Sequence, residues 1–357
     1  MSDQYLFPNR REFLRTAAGT AAALAVTGPL AARSNAPVRI GAGRWTYTLD
    51  ESWAALPAGM KYGLGCAVVV DGQGRLFVTS RSTNPCVAVF DRDGKLVETW
   101  ANDFASRIGF DTKQYADTAH GLYWSKEPGG EFFYWSENKS TNDTGPAFGS
   151  RVYKTDLNGK VLYTLGPGVK KSSDSDEFAF DSPTDVAVAP NGDIYVVDGY
   201  GTQLVHHFDK NFKPLRTIGG KGKNHGRFNT CHGVWVSTLK SEPEVYIADR
   251  ANNRIEVYSL ELDYKRTLPD FRLPCCFYQH DGHLYVPELG ARVSILDADD
   301  HVVARLGDGK GIDPKKIGEH PDNFATPHAL TVDSRGDLYV VEWLAYGRPR
   351  KFRHTPA

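Results

Sequence analysis

Six positions of the chain open a recurring phrase, and three of them are histidine. Counting back from the Tyr or Phe of each repeated second strand, and allowing for longer first hairpins in two repeats, the series is Cys66, His120, Thr184, His232, Cys275, His328. The histidines occupy every second repeat. Their contexts are small or apolar: Ala119-His120-Gly121, Cys231-His232-Gly233 and Pro327-His328-Ala329. Brought to one height about a common axis, three neutral imidazoles with an open coordination position describe a catalytic zinc site. The same set suits other first-row metals, because ligand type alone does not select one. The competing reading makes them polar residues beside a water-filled channel. The other eight of the 11 histidines follow no such register: His206 and His207 share a third strand, and His280 and His283 flank a hairpin.

The element that must position these residues is a repeated sheet. One phrase recurs six times: Gly74-Arg75-Leu76-Phe77-Val78, Gly130-Glu131-Phe132-Phe133-Tyr134, Gly192-Asp193-Ile194-Tyr195-Val196, Pro243-Glu244-Val245-Tyr246-Ile247, Gly282-His283-Leu284-Tyr285-Val286 and Gly336-Asp337-Leu338-Tyr339-Val340. Period-two alternation bounded by Gly, Asn and Asp indicates short antiparallel strands joined by hairpins. Four strands in roughly 40 to 60 residues per repeat is the pattern of a β-propeller blade. The fold class expected is therefore all-β, a six-bladed β-propeller with four-stranded antiparallel blades over residues 37–357, with no sustained helical period. The sixth repeat runs out after its third strand. Residues 44–50, ending Trp45-Thr46-Tyr47-Thr48-Leu49-Asp50, resemble fourth strands and are predicted to close the last blade.

Topology adds a second set. In an antiparallel meander, the start of the first strand and the loop after the second lie at the same face of the ring. The residues there are Arg81, Glu137, Asp198-Gly199-Tyr200, Asp249-Arg250, Glu288 and Glu342. Two arginines and a tyrosine above a metal point to an anionic substrate, a carboxylate held by guanidinium groups. The opposing reading confines Asp249 and Arg250 to ion pairs between blades.

Composition narrows the rest. The 357 residues carry 42 Lys and Arg against 43 Asp and Glu, which gives no electrostatic basis for nucleic-acid binding. At 41% hydrophobic and 12% aromatic, the chain can bury a large core. Residues 1–36 read as an export signal. Asn9-Arg10-Arg11-Glu12-Phe13-Leu14-Arg15 precedes an Ala-rich run from Ala17 to Val26, and the Arg-Arg pair before Phe-Leu resembles a twin-arginine signal. The expected location is periplasmic or secreted, with no membrane span, because that run is short and rich in Ala and Gly. The five cysteines lack the spacing of a disulfide framework.

Further phrases carry a family resemblance: Pro183-Thr184-Asp185-Val186-Ala187-Val188, Val197-Asp198-Gly199-Tyr200, Ile247-Ala248-Asp249-Arg250-Ala251-Asn252-Asn253-Arg254-Ile255 and Pro327-His328-Ala329. Over nearly all of residues 37–357 the chain resembles the NHL-repeat propeller of the peptidyl-α-hydroxyglycine α-amidating lyases. That resemblance implies zinc held by His120, His232 and His328, a catalytic Tyr200, a substrate-facing Arg81 and a further matched Arg250. It also implies a peptide-like anionic substrate supplied by a hydroxylating oxygenase, and a monomer. Ala329 departs from the family, which has there an Asp that helps bind a structural calcium, so calcium is in question. The family's disulfide cysteines have no counterparts. The expected reaction is a lyase step on a carbon bearing a hydroxyl and a nitrogen leaving group. Tyr200 acts as base, an acid ordinarily too weak for that task without neighbouring positive charge. The alternatives are a metal-dependent hydrolase such as a lactonase, whose propellers generally bind metal through carboxylates and Asn, and a propeller that binds without catalysis.

Overall fold

A computed structural model describes residues 36–139, 148–166, 180–312, 316–317 and 320–356. The proposed export signal lies outside the described residues. The first elements among the described residues are two short strands, β1 (Arg39–Ile40) and β2 (Tyr47–Asp50), the second of which pairs with the other end of the sequence. Blade 1 follows as β3 (Leu64–Val70), β4 (Leu76–Arg81), β5 (Val87–Phe90) and β6 (Leu96–Trp100). Blade 2 comprises β7 (Ala119–Glu127), β8 (Gly130–Glu137), β9 (Val152–Asp156) and β10 (Val161–Leu165). Blade 3 comprises β11 (Asp185–Val188), β12 (Ile194–Val197), β13 (Leu204–Phe208) and β14 (Pro214–Gly219). Blade 4 is built from β15 (Cys231–Ser237), β16 (Glu244–Asp249), β17 (Arg254–Tyr258) and β18 (Tyr264–Leu268). Blade 5 holds β19 (Tyr278–His280), β20 (His283–Glu288), β21 (Arg292–Leu296) and β22 (Val302–Leu306). Blade 6 takes β23 (Pro327–Val332), β24 (Leu338–Glu342) and β25 (Arg350–His354). Each is an antiparallel meander, and the six make a six-bladed β-propeller.

Burial follows position in the blade. Second strands such as Ile194–Val197 and Glu244–Asp249 are buried at every residue, because neighbouring blades cover both faces. Fourth strands such as Leu96–Trp100 are largely open and carry polar residues on the outer rim. Aromatic side chains fill the gaps between blades. Phe77 of blade 1 meets Phe133 of blade 2 edge-on at 4.7 Å, and Trp100 and Trp135 pack beside them. Burying each such ring contributes roughly 1.5–3 kcal/mol.

The sixth blade closes as predicted. β2 pairs with β25 in the register Tyr47↔His354, Thr48↔Arg353, Leu49↔Phe352 and Asp50↔Lys351, and Asp50 accepts a 2.6 Å ion pair from Arg353. The closing strand is shorter than 44–50, since Gly43–Trp45 form a 3-10 turn, and β1 adds a fifth strand outside it. First strands lie side by side around the axis, β23 beside β3, β3 beside β7 and β7 beside β11.

No sustained helical period is expected, and the described residues hold two short α-helices. α1 (Asn102–Arg107) and α2 (Thr112–Thr118) connect blades 1 and 2. Asp111 caps α2 in a reciprocal box with Gln114, at 2.7 and 2.9 Å. Phe104 then packs against Trp100, Trp135 and Tyr115, and α2 delivers the chain directly into His120. Six or seven residues are too few to show a helical period. All five cysteines are free thiols, with Cys66, Cys86, Cys231 and Cys275 buried.

Candidate metal centre

The histidines enter the axis through breaks in strand register. The pairing of β7 with β8 shifts between Ala119 and Leu122, that of β15 with β16 between Cys231 and Val234, and that of β23 with β24 between Pro327 and Ala329. A fourth shift flanks Cys66, between Gly65 and Ala67. Such bulges re-aim one side chain and release backbone N–H groups from the ladder. The released donors find side chains. Ala67 N donates to Thr79 Oγ1 at 3.1 Å, Gly121 N to Ser136 Oγ at 3.0 Å and Val234 N to Asp185 Oδ2 at 3.1 Å.

His120, His232 and His328 meet as a result, and their donor atoms all lie within 4.8 Å of one another. Each is at most 3% exposed. The three rings stand edge to face, with centroids 4.8–5.0 Å apart. Alternate blades supply their orientation. His120 Nδ1 lies 2.6 Å from the Thr184 carbonyl, His232 Nδ1 2.8 Å from the Cys275 carbonyl and His328 Nδ1 2.8 Å from the Cys66 carbonyl. A carbonyl only accepts, so Nδ1 carries the proton and Nε2 keeps its lone pair.

Those lone pairs fit a metal. Nε2 of His120 and of His328 is buried without a hydrogen-bond partner, which costs about 1–3 kcal/mol per group unless something binds there. Burial pushes the imidazoles of His120 and His232 well below the usual histidine range, with neighbouring histidines and arginines adding to it. Burial likewise takes His328 down to about 3, against the Cys66 hydrogen bond. Neutral imidazoles at ordinary pH are the form that binds zinc and related metals.

Strand pairing resolves the mouth above this cluster. Residues opposite the start of the first strand are Ser80, Glu137, Asp249 and Glu342, from pairs such as Ala119↔Glu137, Cys231↔Asp249 and Pro327↔Glu342. The acids expected at the mouth are buried clamps instead. Glu137 holds Arg151 with two bonds of 2.7 and 2.9 Å, Asp249 holds Arg254 at 2.7 Å, Glu288 holds Arg292 at 2.8 Å and Glu342 holds Arg348 at 2.7 Å. Asp198 accepts the Ser182 and Asp181 amides. Arg254 therefore serves Asp249, and Arg250 is left for the axis.

The next register position points inward. It holds Arg81, Asn138, Arg250 and Trp343 in blades 1, 2, 4 and 6. Arg250 Nη1 donates to Tyr200 Oη at 3.0 Å, and Tyr200 Oη lies 3.2 Å from His232 Nε2. Burial works against the Arg250 charge, but Tyr200 and Cys275 outweigh it and keep the guanidinium above its usual range. Gly199 lets the Tyr200 loop come this close, since a Cβ there would lie 2.0 Å from the Cys231 carbonyl oxygen. Arg81 donates from Nε to the Ala119 carbonyl at 3.0 Å and from Nη2 to Asn138 Oδ1 at 3.2 Å. Its guanidinium rests over Trp343 at 5.2 Å, and Trp343 in turn lies 4.7 Å from the His328 ring. The predicted set of Tyr200, Arg81 and Arg250 is thus gathered on one side of the histidines. Trp343 and Asn138 join it, unannounced by residue type, although their register position matches that of the two arginines.

The other side opens into a cavity of about 600 Å³ that runs from the three histidines down the axis to the hairpins joining first and second strands. Its walls include Tyr123, Trp235, Tyr278, Asp185 and Ala329, and none of Arg81, Tyr200, Arg250 or Trp343. With Ala329 there, blade 6 contributes no carboxylate at the position where calcium was in question.

Comparison with known proteins agrees with this architecture. A family described as a six-bladed β-propeller matches residues 174–296. NHL repeat-containing protein 3 of Homo sapiens is 27% identical over 308 residues, covering 83% of this chain and 81% of that protein. The probable peptidyl-α-hydroxyglycine α-amidating lyase of Caenorhabditis elegans is 26% identical over 272 residues, covering 72% of this chain and 67% of that protein. Among solved structures, a gluconolactonase from Xanthomonas campestris superposes with a TM-score of 0.56 at 14% identity, covering 90% of this chain and 95% of the other, which is a likeness of fold. Six meandering blades, a closing N-terminal strand and these relatives together make the chain an NHL-repeat six-bladed β-propeller.

Proposed function

We propose that the protein is a metal-dependent lyase that cleaves the C–N bond of a substrate bearing a hydroxyl on the same carbon and a carboxylate nearby. The observation that carries this reading is the meeting of three buried imidazoles with a tyrosine hydroxyl that also receives an arginine hydrogen bond. A relative that bears the name of an α-amidating lyase supports the same class. His120, His232 and His328 would hold the metal, with zinc the first expectation, and a bound metal would supply Lewis acidity toward a hydroxyl oxygen.

The chain's own residues do the rest. Arg250 donates a hydrogen bond to the Tyr200 oxygen and so sets a guanidinium against the atom that exchanges the proton. Entering the step as its phenolate, Tyr200 then takes the substrate hydroxyl proton and becomes the neutral phenol. The electron pair left on oxygen forms the carbonyl, the C–N bond breaks, and the departing nitrogen takes the proton back from Tyr200. No water is consumed. Arg81 of blade 1, braced by Ala119, Asn138 and Trp343, and Arg250, which follows β16 in blade 4, would share the binding of a carboxylate-bearing substrate at this mouth. An N-acyl-α-hydroxyglycine is the simplest molecule with these groups. Incubated with zinc-loaded protein, it should yield the amide and glyoxylate in equal amounts. No glyoxylate above the uncatalysed rate, beside opening of a lactone, would replace this reading with hydrolysis.

A further inference from the structure

The cavity on the side away from Tyr200 holds a carboxylate that braces the strand carrying His232 through the Val234 N–H but touches none of the three imidazoles through a hydrogen bond. Asp185 opens β11 and accepts hydrogen bonds from Val186 N at 2.9 Å and Val234 N at 3.1 Å. Among the described residues no Lys, Arg or His forms an ion pair with it. Burial raises its carboxyl to about 7 against those two backbone donors. Glu127, farther along the same cavity, is already held by Lys154 at 2.7 Å and Tyr134 at 2.8 Å. Lys126 and Lys210 stand exposed at the outer rim. A deep carboxylate with hydrogen bonds but no counter-charge is costly to ionise, and a cationic ligand is the partner that offsets the cost.

The walls select the kind of cation. Tyr123 and Trp235 have ring centroids 5.4 Å apart, and Trp235 and Tyr278 5.7 Å apart, so three rings form a continuous aromatic side. Asp185 is near enough for its charge to act on the Tyr123 hydroxyl. Calcium and magnesium require six or more oxygen ligands, mostly from carboxylates, carbonyls and water. One carboxylate beside aromatic faces matches an organic ammonium better, since ring faces attract such cations while covering their carbon framework. The volume of about 600 Å³ suits a small organic molecule.

We propose that this cavity is a second binding site, for an organic ammonium of arylalkylamine size, with Asp185 as counter-ion and Tyr123, Trp235 and Tyr278 as its aromatic wall. The two sides of the histidine cluster then prefer opposite charges, an anion beside Arg81 and Arg250 and a cation beside Asp185. The site stands independently of the lyase reading.

Calorimetric titration of the full chain at pH 8 tests it, using phenethylammonium and the neutral 2-phenylethanol as probes. The ammonium should bind at least about tenfold more tightly than the alcohol. Asp185→Asn should erase that preference, and Trp235→Leu, which keeps the carboxylate, should weaken ammonium binding. Tyr200→Phe should leave the preference intact, which separates this site from the proposed reaction. Equal binding of the two probes by the unaltered protein, or a preference that survives both Asp185→Asn and Trp235→Leu, would overturn the proposal.

Discussion

The Nδ1 atom of His120 lies 2.6 Å from the carbonyl oxygen of Thr184, and Ser136 Oγ donates to that same oxygen at 2.8 Å. Ser136 also receives the Gly121 N–H that the bulge releases. One hydroxyl therefore holds both the strand that carries His120 and the acceptor that orients its ring. The other two histidines use the Cys275 and Cys66 carbonyls, so the three blades without histidine act as the orienting half of the ring.

Ser136→Ala should weaken metal binding by about 10-fold while the protein still folds, as loss of a group that orients a ligand typically does. Competition with a zinc chelator would read this directly. Unchanged zinc affinity would mean that packing alone holds His120.

Tyr200→Phe removes the hydroxyl between Arg250 and His232 and leaves the three imidazoles in place. Turnover should fall by roughly 10²-fold or more with metal content preserved. Steady-state kinetics beside elemental analysis separates the two effects, and full activity in this variant would remove Tyr200 from the chemistry.

How far the site could be read in advance depended on what repetition encodes. Histidine at every second repeat survives insertions elsewhere, because the six phrases count register from their own second strand, and the closing strand was visible for the same reason. Trp343 needed actual strand pairing, since nothing about a tryptophan after Glu342 marks it as the partner of Arg81 and His328. The acids at Glu137, Asp249 and Glu342 looked alike in sequence to mouth residues. Their inward burial depends on Arg151, Arg254 and Arg348 arriving from the following strand or loop. The cavity beyond the histidines was also hidden, because it depends on which residues of six different first strands face the axis.

Those buried acids carry a stability prediction. Glu342 accepts from Ala325 N and Thr326 N and pairs with Arg348, so it ties β24 to the segment entering His328. Glu342→Ala should cost about 3 kcal/mol, since it takes the carboxylate from a half-buried guanidinium and leaves two amides without their acceptor. Chemical denaturation would measure it, and a loss below 1 kcal/mol would make the clamp dispensable.

Asp185 predicts a pH effect of definite sign. Its folded carboxyl is raised to about 7 by burial, above the ordinary aspartate value of about 4. The folded state then binds a proton that the unfolded chain has released, so the contribution is complete below about pH 4 and is lost as pH rises through 7. Thermal unfolding followed from pH 4 to 8 should show the unaltered protein losing stability relative to Asp185→Asn. Parallel curves for the two proteins would contradict the shift.

Whether His120, His232 and His328 hold a metal is most directly tested by elemental analysis of the folded protein beside a His232→Ala variant purified in the same way. About one first-row metal ion per chain is expected in the unaltered protein, with most of it lost in the variant. Equal metal content in the two, or none in either after exposure to zinc, would contradict a metal centre at these three histidines.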